Sequence, residues 1–344
     1  MKKIGGIICE FNPLHEGHKY IISEAKKTSD ALVCIMSGNF VQRGECACGD
    51  KYSRAKRALD AGADLVVSLP FPWCAAPAEF FARAGVTLAR ALGVTDLVFG
   101  SESGDVAAIF RAAALADDKE FSALADELSS GGEGFAFARH EAALRIAPEI
   151  AGVFASPNDM LASEYVRQSR NIGYEAEHHA VRRLPGYSAA AIRAESGFRH
   201  DLFNIERTLF CLGKHSSDSF DHESGIINRL EKCALASCDG DDMFQRAATR
   251  KYTDARLRRA ALFSCLGITK SDLADEPDYT LLLAANGAGR EILGAARGVE
   301  IVTKPADAES LRFELERRSD RLFALAAGIA DAPDIFMKKS PYIC

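Results

Sequence analysis

Apolar residues in the first hundred positions form short continuous runs, separated by longer stretches in which they recur at helical spacing. The runs at 4–9, 31–36, 64–69 and 96–99 predict buried β-strands, and the stretches at 15–27, 51–61 and 77–92 predict helices. Strands that alternate with helices are typical of a parallel sheet covered on both faces. We therefore expect a doubly wound α/β domain at the start of the chain.

The pattern changes after Gly100. Alanine-rich helices are predicted at 105–117, 119–128 and 134–146, followed by a polar turn at 156–159 and a strand at 175–183. From about residue 197 the pattern favours helices, with one more strand at 299–303. Because 344 residues exceed the usual size of one domain, we expect an α/β domain over 1–200 and an α-rich domain over 201–344.

Composition restricts the partners. The 42 basic and 48 acidic residues give a net charge of −6, so any nucleic-acid contact needs a local basic patch. The apolar run at the N-terminus is too short for a signal peptide, and no 18-residue apolar stretch follows, which predicts a cytoplasmic protein without a membrane span.

The ten cysteines are scattered, as is typical of reduced thiols rather than of a disulfide framework. Cys46 and Cys48 could join Cys233 and Cys238 as four metal ligands, but these spacings match common zinc sites poorly. We expect no metal site.

Candidate chemistry follows the first strand directly. An Asn-Pro turn leads to His15 and His18, which flank Gly17 at the predicted start of a helix. Residues three apart share a helix face, and the N-terminus of a helix favours an anion. Two imidazoles there could stabilise the charge that develops when the α-phosphate of a nucleoside triphosphate is attacked. The alternatives are two surface histidines, or a zinc site for which H-x-x-H supplies only two ligands.

Further blocks follow this motif in order. They are Met-Ser-Gly-Asn-Phe-Val-Gln-Arg-Gly-Glu at 36–45, Asp50 and Lys51 with Arg54 and Lys56, Gly-Ala-Asp-Leu-Val at 62–66 with Leu69 and Pro70, Phe-Gly-Ser-Glu at 99–102, and Ser-Pro-Asn-Asp at 156–159. The N-P-x-H-x-G-H motif resembles that of the HxGH nucleotidyltransferase superfamily, which has Rossmann-like domains. With the other blocks, the chain resembles the bacterial tRNA(Met) cytidine acetate ligase family over roughly residues 1–200, and more thinly at 250–259.

This resemblance implies a reaction in two steps. ATP activates acetate as acetyl-adenylate, and N4 of the wobble cytidine (C34) in the anticodon of elongator tRNA(Met) takes the acetyl group to give N4-acetylcytidine. Mg²⁺ is expected with the triphosphate. His15 and His18 would be catalytic, and by motif position ATP would contact Ile7, Ile8, Cys9, Glu10, Phe11, Asn12, Pro13, Leu14, His15, Glu16, Gly17, His18, Lys19, Tyr20, Gly100, Asn158, Arg182 and Arg183.

Several of these residues have ordinary alternatives. Asn158 could cap the helix that follows it, and Arg182 and Arg183 could form an exposed pair. Arg43 and Lys51 could touch phosphate or tRNA, although solvated side chains would give the same pattern.

A basic stretch at 245–259 is the best candidate for a tRNA contact in this acidic chain. A solvated helix face would also produce this pattern. The residues expected to contact RNA are Arg250, Lys251, Arg256, Arg258 and Arg259.

The segment 183–193 departs from the family pattern. It is short, and Ala190 stands where a threonine is usual, so one hydroxyl donor to phosphate is lost. This departure leaves open an inactive nucleotide- or RNA-binding relative. A nucleotidyltransferase of the same superfamily acting on a small phosphorylated metabolite is the other alternative, although such an enzyme has no evident use for the basic stretch.

Overall fold

The structure, a computed structural model, describes residues 2–184, 186–187, 192–193, 198, 200–216, 218–221, 223–329 and 334–344. The strands in these ranges are β1 (Ile4–Cys9), β2 (Ala31–Ser37), β3 (Phe40–Val41), β4 (Glu45–Cys46), β5 (Leu65–Leu69), β6 (Asp96–Ser101), β7 (Glu177–Arg182), β8 (Tyr279–Ala285), β9 (Glu300–Val302) and β10 (Tyr342–Ile343).

Helices connect most of these strands. Those in the described ranges are α1 (Glu16–Thr28), α2 (Lys51–Asp60), α3 (Ala78–Ala91), α4 (Val106–Leu115), α5 (Lys119–Ser130), α6 (Phe135–Ile146), α7 (Ala151–Ala155), α8 (Pro157–Asn171), α9 (Leu202–Cys211), α10 (Ser224–Ala236), α11 (Gly240–Ala247), α12 (Asp254–Leu266), α13 (Gly287–Ala295) and α14 (Phe313–Ala326).

The main sheet has the order β10-β8-β5-β2-β1-β6-β7, with β9 paired to β8. The five strands β5-β2-β1-β6-β7 are all parallel. The chain proceeds from β1 through β2 to β5 and then crosses back to β6 on the other side of β1, so the order of connection reverses next to β1. Ligands bind at the carboxyl ends of strands beside such a reversal. The predicted doubly wound, Rossmann-like fold is confirmed, and the first four predicted strands agree with β1, β2, β5 and β6 to within two residues.

The C-terminal part also contributes to this sheet. Strand β8 pairs antiparallel with β5, and β10 pairs parallel with β8. The pattern had indicated no strand at 279–285, because a fully buried apolar run has no alternation by which to distinguish a strand from a helix. The expectation of few strands after residue 200 was therefore incomplete, while the division into two domains stays a prediction.

A buried ion cluster connects α2 to α14. The Lys51 ammonium lies 2.6 Å from Glu316 Oε1 and 2.7 Å from Asp320 Oδ2, and all three side chains are almost inaccessible. Neither sequence interpretation of Lys51 holds, since a side chain enclosed in this way is neither solvated nor able to reach phosphate or tRNA. Among the residues placed by the structure, no helix combines the length and apolarity needed to cross a membrane.

Candidate active site

The turn between β1 and α1 is fixed by its neighbours. Phe11 has φ of 44°, a left-handed conformation that is uncommon outside glycine. The backbone N–H of Cys48 donates to Asn12 Oδ1 at 2.6 Å, and Arg193 Nη1 donates to the Asn12 carbonyl at 3.0 Å. These contacts, made by segments distant in sequence, hold the chain where it leaves the sheet and enters the helix.

His15 and His18 meet at the head of α1. His15 is the N-cap residue, and its carbonyl accepts the backbone N–H groups of His18 at 2.8 Å and Lys19 at 3.0 Å. The two imidazole rings stack with centroids 3.7 Å apart and an interplanar angle of 21°. The expected meeting of the two imidazoles is therefore present, although His15 precedes the helix instead of lying within it.

Both histidines lack hydrogen-bond partners at most of their ring nitrogens. Within the described ranges, His15 Nδ1, His15 Nε2 and His18 Nδ1 are buried without one. Buried polar atoms are nearly always paired, so three such atoms at one place indicate a site that a ligand completes. This observation excludes the interpretation of two solvated surface histidines.

Burial also keeps the imidazoles neutral. Burial and the nearby Arg183 guanidinium lower the pKa of His15. Burial, with the neighbouring His15, lowers the pKa of His18 to about 3. Near pH 7 both rings are therefore uncharged, and each offers one N–H donor and one acceptor.

The histidines line a cavity of about 460 Å³ at the carboxyl ends of β1 and β6. Pockets for small ligands commonly measure about 300–1,000 Å³. The residues predicted to contact ATP that line it are Ile7, Ile8, Cys9, Glu10, Phe11, Asn12, His15, Gly17, His18, Gly100, Asn158 and Arg183. Those that do not line it are Pro13, Leu14, Glu16, Lys19, Tyr20 and Arg182.

Glu102 lines this cavity and organises its wall at the start of α8. Its Oε2 accepts the backbone N–H groups of Asn158 at 3.2 Å and Asp159 at 3.1 Å, at the N-terminus of α8. The Asn158 amide and the Arg183 guanidinium donate to Glu102 Oε1. The alternative that Asn158 caps α8 does not hold, because Ser156 is the N-cap residue and the Asn158 amide donates to Glu102.

Arg182 ends β7 and Arg183 follows it, and the two side chains separate because successive residues of an extended chain point to opposite sides. Arg183 lines the cavity, close to Gly100, where a β-carbon would lie 3.6 Å from Arg183 Cγ. Arg182 is exposed and lies beside Gly104 instead. Of the predicted pair, one guanidinium is therefore positioned to meet a ligand in the cavity.

The sequence interpretation gave no role to Arg54 and Tyr187. Arg54 is buried and donates to the carbonyls of Glu10 at 2.6 Å, Ser37 at 3.0 Å and Gly38, which ties together the ends of β1 and β2. The Tyr187 ring is nearly parallel to that of His15, with centroids 6.2 Å apart. Arg54 was part of a quoted block, whereas Tyr187 carried no signal beyond following the arginine pair.

Comparisons with known proteins agree with this geometry. The family model described as HIGH Nucleotidyl Transferase matches residues 1–198 and 186–333. The tRNA(Met) cytidine acetate ligase of Acetivibrio thermocellus is 30% identical, over 89% of this chain and 89% of its own. That of Syntrophotalea carbinolica is 34% identical, over 85% and 82%. This chain belongs to the tRNA(Met) cytidine acetate ligase family. The predicted family is confirmed.

Solved structures place this ligase chain in the same fold. The crystal structure of Thermotoga maritima TmcAL bound with alpha-thio ATP superposes with a TM-score of 0.89, at 25% identity and over 99% of both chains. Its apo form superposes with a TM-score of 0.87. The agreement covers the C-terminal part as well as the nucleotidyltransferase sheet.

The basic stretch of this family member is partly neutralised. The Arg250 side chain is 85% exposed, and its nearest acidic partner is Glu133 at 3.5 Å. Lys251 pairs with Glu223 at 2.8 Å, and Arg256 also pairs with Glu223, at 3.2 Å. These three cations lie at or near the surface, and their predicted contact with RNA stays a prediction.

Arg258 and Arg259 lie deeper than the sequence suggested. The Arg258 guanidinium lies 4.0 Å from the centroid of Phe203, and its side chain is 13% exposed. Arg259 Nη1 donates to the Gln42 carbonyl at 3.4 Å, beneath the loop that joins β3 to β4. These two residues therefore do not lie on a solvated helix face. Their side chains pack α12 against neighbouring elements.

All ten cysteines are free thiols. Within the described residues, no group of three or more His, Cys, Asp or Glu side chains could hold a metal ion. The Ser188 and Ala190 positions, whose departure from the family pattern was noted, lie outside the described residues. Arg193, at the end of that segment, lines the cavity.

Proposed function

We propose that this protein is an ATP-dependent ligase that converts acetate to acetyl-adenylate and transfers the acetyl group to N4 of the wobble cytidine in elongator tRNA(Met). The observation that carries the proposal is the stacked pair of neutral imidazoles, His15 and His18, with unpartnered nitrogens that line a cavity. The membership of the chain in this ligase family supports the substrate assignment.

The cavity supports ATP as the nucleotide. The N-terminus of α1 presents free backbone N–H groups beside the histidines, an arrangement that favours phosphate. Gly17 leaves room for the His15 ring at this N-terminus, since a β-carbon at that position would lie 2.9 Å from His15 Cε1. The Arg183 guanidinium, close enough to lower the pKa of His15, adds a positive charge within the same cavity.

The chemistry of the first step fits neutral imidazoles. Acetate attacks the α-phosphate, pyrophosphate leaves, and negative charge grows on the phosphoryl oxygens in the transition state. N–H donors fixed at that position stabilise this charge without reorganising. Mg²⁺ would accompany the triphosphate and would be held largely by phosphate oxygens and water, as is usual for this ion.

The position of α12 supports a tRNA contact close to the cavity. Its backbone at Arg258 and Arg259 packs against Gly44, in the loop between β3 and β4. The loop residues Gln42 and Arg43, and Glu45 at the start of β4, line the cavity. A tRNA bound along the exposed cations near this helix would therefore approach the cavity mouth. A cytoplasmic location, where tRNA is found, stays part of this proposal.

One incubation tests the proposed reaction. Purified protein, ATP, acetate and unmodified elongator tRNA(Met) are expected to give N4-acetylcytidine at C34 on nucleoside analysis, and omission of acetate or ATP should abolish it. A tRNA carrying uridine at that position is the matched control. Nucleotide transfer to a phosphorylated metabolite, or ATP binding without pyrophosphate release, would instead support the two alternative functions.

A further inference from the structure

We propose that Glu10 is the general base that takes the proton from the cytidine amine during acetyl transfer, an inference that rests on the proposed function. Glu10 follows β1 directly and lines the same cavity as His15 and His18. A carboxylate repels a polyphosphate beside it, so Glu10 is not suited to hold the phosphates themselves.

Glu10 is held in a defined position. The backbone N–H of Gln42 donates to Glu10 Oε1 at 2.9 Å, and Arg54 Nη1 donates to the Glu10 carbonyl at 2.6 Å. The carboxylate is thereby held by the loop between β3 and β4, while α2 holds the backbone of the same residue. A general base must be fixed in this way to meet a proton at hydrogen-bond distance.

The other carboxylates on the described cavity wall are engaged elsewhere. Glu102 accepts the N–H groups that begin α8 and pairs with Arg183. Glu45 lies 3.8 Å from the guanidinium of Arg258. Within the described part of the chain, Glu10 contacts the loop next to α12 through Gln42 without pairing with a cation of α12, and the tRNA would approach from this side.

The histidines are poor candidates for this proton. With its pKa lowered to about 3, His18 holds a proton weakly, and the pKa of His15 is lowered as well. Burial raises the pKa of Glu10, against the opposing effects of the Gln42 N–H and of Arg43, Arg54 and Arg193. Of the three groups, Glu10 is the one whose pKa is raised, and a raised pKa favours accepting a proton.

The step balances as follows. A bond forms between N4 and the acetyl carbonyl carbon, while the bond from that carbon to the adenylate oxygen breaks. The electron pair of the broken bond leaves with AMP, and the proton from N4 passes to the Glu10 carboxylate. Glu10 later releases this proton to water.

The test separates the two half-reactions in Glu10→Gln, which keeps the size of the side chain and an oxygen for the Gln42 N–H. Because Glu10 lines the nucleotide cavity, acetate-dependent exchange of pyrophosphate into ATP is measured in the same variant as the reference for the first step. The rate of transfer to tRNA in a single turnover should fall at least about 100-fold more than the rate of exchange. Transfer to hydroxylamine, a strong nucleophile that needs little help from a base, should persist. Glu24→Gln, a carboxylate on α1 paired with Lys27, is the control and should change neither rate.

The pH profile is a second readout. In wild type the transfer rate should rise with pH to a plateau as Glu10 loses its proton, and Glu10→Gln should lose this rise. The groups facing Glu10 are Arg43, Arg54, Arg193, Cys9 and Tyr165. Burial raises the pKa of both Cys9 and Tyr165 and so moves their titration further from that of Glu10. His15 and His18 line the same cavity and have lowered pKa values, so it is the loss of the rise in Glu10→Gln that assigns the rise to Glu10.

Two outcomes would overturn the assignment. Equal losses of exchange and transfer in Glu10→Gln would place Glu10 in ATP binding, and unchanged transfer would remove it from the reaction. Wild-type protein that forms acetyl-adenylate but never acetylates the tRNA would contradict the proposed function itself, so the two failures are distinguishable.

Discussion

Gly44 packs directly against Arg259: a β-carbon on Gly44 would lie 2.7 Å from the Arg259 backbone nitrogen. Gly44 also has φ of 74°, a conformation that disfavours other residues. This contact joins the loop at the cavity to α12, the helix of the predicted tRNA surface. Neither the loop nor the helix can move there without the other.

Gly44→Ala should therefore destabilise the protein by about 2–4 kcal/mol, from overpacking and from the positive φ together. Gly298→Ala is the matched control, since Gly298 has φ of 75° with nothing within 4 Å of its added carbon. The difference between the two urea midpoints isolates the cost of the contact. Equal effects would show that the close packing costs nothing.

His18→Ala should reduce acetyl-adenylate formation by about 100-fold or more while the fold stays intact, because the ring faces the cavity. Pyrophosphate exchange and circular dichroism measure the two effects. His140→Ala, on α6 far along the chain from the motif, should leave exchange unchanged. A variant that loses stability but keeps activity would contradict the catalytic assignment.

The pKa of His18 predicts how stability depends on pH. The pKa of His18 is about 3 in the folded protein and 6.5 for an ordinary histidine. Between these two pH values the unfolded chain binds a proton at His18 that the folded protein does not bind. The free energy of unfolding should therefore fall as pH falls from 6.5, by at most about 1.4 kcal/mol per pH unit from this group. Urea unfolding at pH 7 and pH 4.5 should show a loss about 1–2 kcal/mol smaller in His18→Gln than in wild type. Identical losses would show that His18 is not the group responsible.

The basic stretch should divide into two kinds of residue. Arg250→Ala, at an exposed position, should weaken tRNA binding and flatten its salt dependence without changing stability. Lys27→Ala, at the exposed C-terminal end of α1, is the control cation and should leave binding unchanged. Filter binding across a range of salt concentrations provides the measurement, and an unchanged slope in Arg250→Ala would remove this residue from the tRNA surface.

Arg258→Ala should instead cost about 1–3 kcal/mol of stability, since it removes a guanidinium packed over Phe203 and Phe244. Arg258→Lys, which keeps the charge but not the flat stacking group, should recover only part of the loss. Thermal unfolding measures both. Weaker tRNA binding at unchanged stability would return Arg258 to the surface contacts first predicted for it.

Local patterns were sufficient for the first half of the fold and for the centre of the site. A buried apolar run or a helical spacing is defined by residues only a few positions apart. The first four strands and the position of the His15 and His18 pair could therefore be predicted from the sequence. The pairing of Lys51 with Glu316 and Asp320 did not, because these residues are more than 260 positions apart. The same holds for β8 beside β5, and for the burial of Arg258 between aromatic rings. Spacing along a chain determines which residues can share a face, whereas only packing between distant elements decides which charged side chains lose contact with water.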